Sequence, residues 1–215
     1  LLDGYGLGKP IVSISNGIDL DFFKPGKEDA VRFREEFGFS GDDKVVMSVG
    51  LYIERKGIVD FVELARRLPQ YKFIWFGYTN LNTVPGRVRT AVETKLDNLI
   101  FAGYVAPDVL KRAYSGSDLF LFPTYEETEG IVLLEALAMK LPVLVRDIPI
   151  YRKWLVDGVS VYKAGAIDEF ENKIKVVLEK KVPSLVETGY QVALERDLRK
   201  IGKQLAECTT AIFTS

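Results

Sequence analysis

Short apolar runs recur along this chain at regular intervals with amphipathic stretches between them. That alternation is the pattern of parallel strands joined by helical crossovers, with the sheet buried on both faces. Strands are expected at Ile11–Ser15, Val45–Val49, Phe73–Phe76, Leu99–Phe101, Leu119–Phe122, Val143–Val145 and Ser160–Tyr162. Helices are expected between them, at Ala30–Phe37, Ile58–Leu68, Arg87–Lys95, Val109–Tyr114 and Ile131–Met139. The helix at Ile58–Leu68 sets Ile58, Phe61, Val62, Ala65 and Leu68 on one face, and Pro69 stops it. From Ile167 onward the chain turns helical and charged, through Ile174–Lys180 and Leu194–Phe213, with Pro183 and Gly189 as breaks. In open parallel sheets ligands sit in the loops beyond the carboxyl ends of the strands, so those loops hold the candidate chemistry.

Composition removes several alternatives. A length of 215 residues with 47% hydrophobic content suits one α/β domain with some extra chain. A net charge of −1 provides no overall field for nucleic acid or an anionic membrane, so any anion must be held locally. The absence of His and the single Cys208 exclude an internal disulfide, Cys/His zinc sites and imidazole-based catalysis. No run approaches the ~18 apolar residues of a membrane helix and there is no charged-then-apolar leader, so the expected compartment is the cytosol. The opening Leu1-Leu2-Asp3-Gly4 is expected to continue from a longer protein.

Two short motifs are read structurally. Gly4-Tyr5-Gly6-Leu7-Gly8-Lys9 precedes the first expected strand, and Pro10 stands where a phosphate loop needs Ser or Thr, so residues 1–10 are assigned as a linker. Asp19-Leu20-Asp21 has the spacing of a chelating pair. With Asn16-Gly17 before it and Phe22-Phe23 after it, a turn into a packed aromatic pair is expected, and no metal.

The loop Gly50-Leu51-Tyr52-Ile53-Glu54-Arg55-Lys56-Gly57 joins an expected strand to an expected helix. Gly50 and Gly57 permit close backbone approach, the helix N-terminus offers N–H groups, and Arg55 and Lys56 add full charges. These features suit a diphosphate; the alternative is that both cations are solvated surface charges. The segment Pro123-Thr124-Tyr125-Glu126-Glu127-Thr128-Glu129-Gly130-Ile131 again runs from strand end to helix N-terminus. Glu135 follows in that helix among Ile131, Val132, Leu134, Leu137 and Met139, where an ionised carboxylate needs a polar partner. A ribose diol would serve, and so would a contact to a neighbouring helix. Acids crowding a place that also attracts an anion match the needs of a polyol next to a phosphate.

Glu127 and Glu135, with Gly130 between them, resemble the Glu-x7-Glu motif of retaining glycosyltransferases of the two-domain GT-B type, family 4. Asn16-Gly17-Ile18-Asp19 is similar to that family's entry into its second domain, and Gly50 through Gly57 to its diphosphate loop, with Lys56 on the family lysine. Phe101-Ala102-Gly103-Tyr104-Val105 resembles the segment that touches the nucleotide base, and Asp118 through Pro123 leads into the acidic motif as in the family. Within the family, Tyr71-Lys72-Phe73-Ile74-Trp75-Phe76-Gly77 and Glu127 through Ile131 look closest to bacterial diacylglycerol glucosyltransferases. Two positions depart: the usual Arg after the first glycine is Leu51, and the usual aromatic before Gly130 is Glu129.

The resemblance implies a Rossmann-like α/β domain, one half of a GT-B fold, over residues 11–193. Residues 194–215 would form a C-terminal helix packing toward a missing N-terminal domain that carries the acceptor pocket. It implies hexose transfer from a nucleoside diphosphate, with UDP-glucose as donor and a glycolipid or diacylglycerol as acceptor, at the cytoplasmic membrane surface and without cofactor. Glu127 would be the catalytic residue; Gly50, Arg55, Lys56, Tyr104, Thr128, Gly130, Ile131 and Glu135 would bind the donor. A glycoside hydrolase, which also uses paired carboxylates, and a non-catalytic interaction module are the alternatives.

Overall fold

The computed structural model describes residues 11–214. The expected linker, with Gly4 through Lys9, lies outside the described residues. Six strands, β1 (Val45–Val49), β2 (Lys72–Phe76), β3 (Leu99–Gly103), β4 (Leu119–Phe122), β5 (Val143–Arg146) and β6 (Tyr162–Ala164), form one parallel sheet in the order β3-β2-β1-β4-β5-β6. Eight α-helices accompany them: α1 (Lys27–Phe37), α2 (Ile58–Arg67), α3 (Gly86–Glu93), α4 (Pro107–Gly116), α5 (Ile131–Ala138), α6 (Ile167–Leu178), α7 (Val186–Glu195) and α8 (Leu198–Thr214).

Successive strand residues enter opposite cores, as the two-residue period of a strand requires. Met47, Ile74, Phe120 and Val145 pack with Phe33 of α1, Tyr114 of α4, Leu133 of α5 and Ala193 of α7. Val46, Trp75, Leu121 and Leu144 pack on the other face with Phe61 of α2, Val88 of α3 and Phe170 of α6. Apolar runs without polar alternation therefore mark strands covered on both sides, and the expected α/β class is the observed one.

Four local expectations change. Ile11–Ser15 joins no strand of the sheet; Ile11 and Val12 are exposed, so no apolar face draws this segment onto the sheet. The chain instead pairs once, with Ile18 bridging Asp197. The strand expected at Ser160–Tyr162 lies two residues later, and α6 starts at Ile167, where the Glu169 carboxylate accepts the Gly165 N–H at 2.6 Å. Leu194–Phe213 is two helices, broken where Asp197 accepts from the Arg199 N–H at 2.8 Å and from its guanidinium. Gly189 lies inside α7 and does not break it. A Cβ there would stand 2.8 Å from the Ser160 carbonyl oxygen and 2.9 Å from Leu137, so the glycine permits close helix approach.

Candidate active site

The sheet order changes direction between β1 and β4, whose connections leave toward opposite faces. The crevice beyond the carboxyl ends of such a strand pair is where open α/β sheets bind ligands. Residues 50–57 follow β1 and residues 123–130 follow β4, so the two loops singled out by sequence meet at this crevice.

They interlock through backbone. The Arg55 carbonyl accepts the Tyr125 N–H at 2.7 Å and lies 3.0 Å from the Thr124 hydroxyl. Gly57 has φ +76°, and a Cβ on it would come within 2.3 Å of the Pro123 carbonyl oxygen. The close approach that Gly57 serves is therefore to the second loop. Gly50 is anchored from beneath by the Trp75 indole, which donates to its carbonyl at 2.8 Å.

This interlock brings Lys56 and Glu127 together as an ion pair with side chains 15% and 9% exposed. The second Glu127 oxygen accepts the Thr128 N–H at 3.0 Å, and the Lys56 ammonium stands 5.4 Å from the Phe122 ring centre. Arg55 points outward; its guanidinium donates to the Glu126 carbonyl at 3.2 Å and has no carboxylate partner among the described residues. Gly130, at φ +86°, begins α5 without any side-chain cap, and Ile131 beside it is exposed. A helix N-terminus of this kind, flanked by Lys56 and Arg55, attracts negative charge.

Glu135 accepts the Tyr114 hydroxyl of α4 at 2.8 Å through one oxygen. Burial pushes its carboxyl pKa up, and the tyrosine only partly offsets this. The contact to a neighbouring helix is thus realised. No hydrogen bond reaches the second oxygen among the described residues. Burial, and then the charge of Glu135, push the Tyr114 hydroxyl well above its ordinary value. Leu51, Tyr78 and Tyr104 are exposed beyond β1, β2 and β3, with Tyr52 buried beneath and edge-on to Tyr78 at 6.0 Å.

Several contacts had no signal in the sequence. Glu129 accepts from the Ser15 hydroxyl, from the Asn16 N–H at 2.8 Å and from the Asn16 side chain at 2.7 Å. Burial raises its carboxyl pKa, but these donors outweigh that and hold it below the usual range. The departure at 129 is thus a clasp between the acidic loop and the segment at Ser15-Asn16, ahead of α1. Arg146, at the end of β5, is buried against the same loop. Asp19 accepts the N–H groups of Asp21 and Phe22 at 2.9 and 3.0 Å, the turn expected there, and the Phe22 and Phe23 rings pack edge to face at 4.9 Å.

A profile of the family described as glycosyl transferases group 1 matches residues 29–199. The chain belongs to that family. Among relatives of this group 1 chain, the processive diacylglycerol alpha-glucosyltransferase of Acholeplasma laidlawii is 44% identical over 198 residues, 92% of this chain and 60% of the relative. The alpha-galactosylglucosyldiacylglycerol synthase of Streptococcus pneumoniae is 34% identical over 159 residues, 72% of this chain and 42% of the relative. The chain thus spans less than two thirds of the length of either protein. HepE of Anabaena, solved with UDP-glucose, superposes with TM-score 0.81 at 21% identity, over 92% of this chain and 57% of that one. The C-terminal domain of LpcC from Francisella tularensis gives 0.66 at 18%, over 84% of this chain and 98% of that one. The architecture is the Rossmann-like half of the GT-B glycosyltransferase fold. Among the described residues no helix of this group 1 chain is long and apolar enough to cross a membrane.

Proposed function

We propose that this chain is the donor half of a retaining glycosyltransferase that moves glucose from UDP-glucose to diacylglycerol or a glycolipid at the cytoplasmic membrane surface. The observation that carries the reading is the Lys56–Glu127 pair at the crevice between β1 and β4, beside an uncapped helix N-terminus. Lys56 and Arg55, with the N–H groups at Gly130-Ile131, stabilise the diphosphate as its charge grows on leaving; such preorganised electrostatics are usually the largest single contribution to catalysis. Glu127 holds sugar hydroxyls and stabilises positive charge at the anomeric carbon. Glu135 receives the ribose through the oxygen that Tyr114 leaves open, and Tyr104, Gly50 and Thr128 line the base and diphosphate. Family membership favours transfer over the glycoside hydrolase and interaction-module readings. Relatives named for diacylglycerol glycosylation support the lipid acceptor. The acceptor pocket belongs to an N-terminal domain, toward which α8 packs.

Calorimetry of the 215-residue chain with UDP-glucose, with and without EDTA, tests the reading. Binding that survives EDTA supports it. Absence of heat with any nucleoside diphosphate, or loss of binding in EDTA, refutes it. The same chain is expected to transfer no sugar alone, since half the cleft is contributed from elsewhere.

A further inference from the structure

Arg146 is 7% exposed, and each nitrogen of its guanidinium donates a hydrogen bond. Nε donates to the Pro123 carbonyl at 3.1 Å, one terminal nitrogen donates to the Gly165 carbonyl, and the other pairs with Asp60 in the first turn of α2. The plane is covered by Tyr125, whose ring centre lies 3.9 Å from Cζ, and on α6 by Phe170 at 5.0 Å. The Tyr125 hydroxyl closes the circuit by donating at 2.7 Å to the same Asp60 oxygen. A buried cation is tolerated only when paired and hydrogen-bonded; here Asp60 supplies the opposite charge and all three guanidinium nitrogens donate.

The carbonyl that Arg146 holds is the one against which Gly57 packs, and the Tyr125 it covers donates its N–H to the Arg55 carbonyl. Lys56 is the residue after Arg55, and Glu127 lies four residues beyond Pro123. The geometry points to Arg146 as a positioning residue for donor binding: through Pro123, Tyr125 and Asp60 it fixes the second loop against the first, and so sets where Glu127 stands relative to Lys56. It does not touch the donor. A planar guanidinium can satisfy three acceptors at fixed angles, whereas an ammonium at this position provides charge without that fork.

The inference rests on the donor-site reading above. The test is calorimetry of the parent chain, Arg146→Lys and Tyr125→Phe with UDP-glucose, UDP and uridine, alongside thermal melting. Arg146→Lys is expected to bind UDP-glucose at least tenfold more weakly, with uridine within twofold of parent. Adding Arg146→Lys to Glu127→Gln is expected to reduce UDP-glucose affinity less than it does in the parent, because the side chain being positioned is already altered. A merely structural role lowers the melting temperature and leaves the affinity of the folded chain for all three ligands unchanged; that result overturns the assignment. If Arg146→Lys does not fold, Tyr125→Phe decides. This variant keeps the ring and removes only the bond to Asp60, so a roughly threefold weaker UDP-glucose affinity at unchanged melting supports the assignment and parent-like affinity overturns it. No binding by the parent refutes the donor reading and Arg146's role with it; equal binding by parent and Arg146→Lys removes Arg146 alone.

Discussion

Lys56 and Glu127, 71 residues apart in the chain, form an ion pair at the bottom of the crevice with little of either side chain in water. Removing one member strands the other's charge in partly dry surroundings. Lys56→Met is therefore expected to destabilise the fold by on the order of 3 kcal/mol, the scale for breaking a buried pair. The double variant Lys56→Met/Glu127→Gln should lose less than the sum of the two single losses. Urea unfolding of all four chains measures this; strict additivity means that the pair is not coupled.

The two motif glutamates should fail differently toward ligands. Glu135→Ala is expected to weaken UDP and UDP-glucose alike by ~1.5–3 kcal/mol, the range for a hydrogen bond to a charged group. Glu127→Ala should spare UDP and weaken only the sugar-bearing ligand. Titrations that show equal loss of UDP in both variants reverse or remove these roles.

Arg55 is exposed and without a carboxylate partner among the described residues, so its guanidinium is free to take the diphosphate in place of the arginine absent at Leu51. Arg55→Ala is expected to reduce UDP affinity about tenfold, which corresponds to ~1.4 kcal/mol. Arg55→Lys should recover part of that, and uridine binding should barely change. Parent-like UDP affinity in Arg55→Ala makes Arg55 a surface charge.

The clasp at Glu129 makes a pH prediction. Its carboxyl is held below the ordinary value in the folded chain, so its contribution is fully present above the unfolded pKa and is lost as pH falls through the folded one. Glu135 has the opposite sign: burial raises its pKa, so its burial becomes less unfavourable on acidification. Glu129→Gln should therefore lose less stability than the parent between about pH 5 and 3, a window set by the ~4.3 of a free glutamate. Parallel stability curves for the two chains over that range rule the clasp out as a source of acid lability.

Glycine substitutions separate conformational need from space. Gly57→Ala introduces a side chain at φ +76° and 2.3 Å from the Pro123 carbonyl oxygen. The backbone alone is expected to cost roughly 1–3 kcal/mol, and the collision adds to it. Gly202 in α8 has nothing within 4 Å of a Cβ and a helical φ, so Gly202→Ala should stabilise by roughly 0.5–1 kcal/mol. Thermal melting of the pair checks the contrast; a tolerated Gly57→Ala contradicts the loop interlock.

The sheet was legible because its strands are short, mostly apolar runs covered on both faces, and such coverage suppresses the polar alternation of a strand with one wet face; Ser48 inside β1 and Arg146 at the end of β5 are the buried polar exceptions. Ile11–Ser15 shows the limit: it has the composition of a strand but no apolar surface awaiting it, and its neighbour Ile18 bridges Asp197 instead. Strand ends and glycine positions likewise placed both loops of the crevice, since backbone turns leave local marks in sequence. What carried no local mark was the pairing across the crevice. Ion pairs and side-chain contacts join residues by proximity in space, and nothing in the neighbourhood of Glu127 in the chain announces Lys56. The same holds for Glu129, whose partners Ser15 and Asn16 are over a hundred positions away, and for Tyr114 on Glu135. Arg146 is the extreme case: a single arginine ending a strand, on whose guanidinium the loop after β4, α2 and α6 converge only in the folded chain. Apolar periodicity and turn residues, read along the chain, determined the α/β class and which loops face the crevice. The tertiary structure alone decided which charges meet there, because charge pairing depends on distances that only the packed sheet sets.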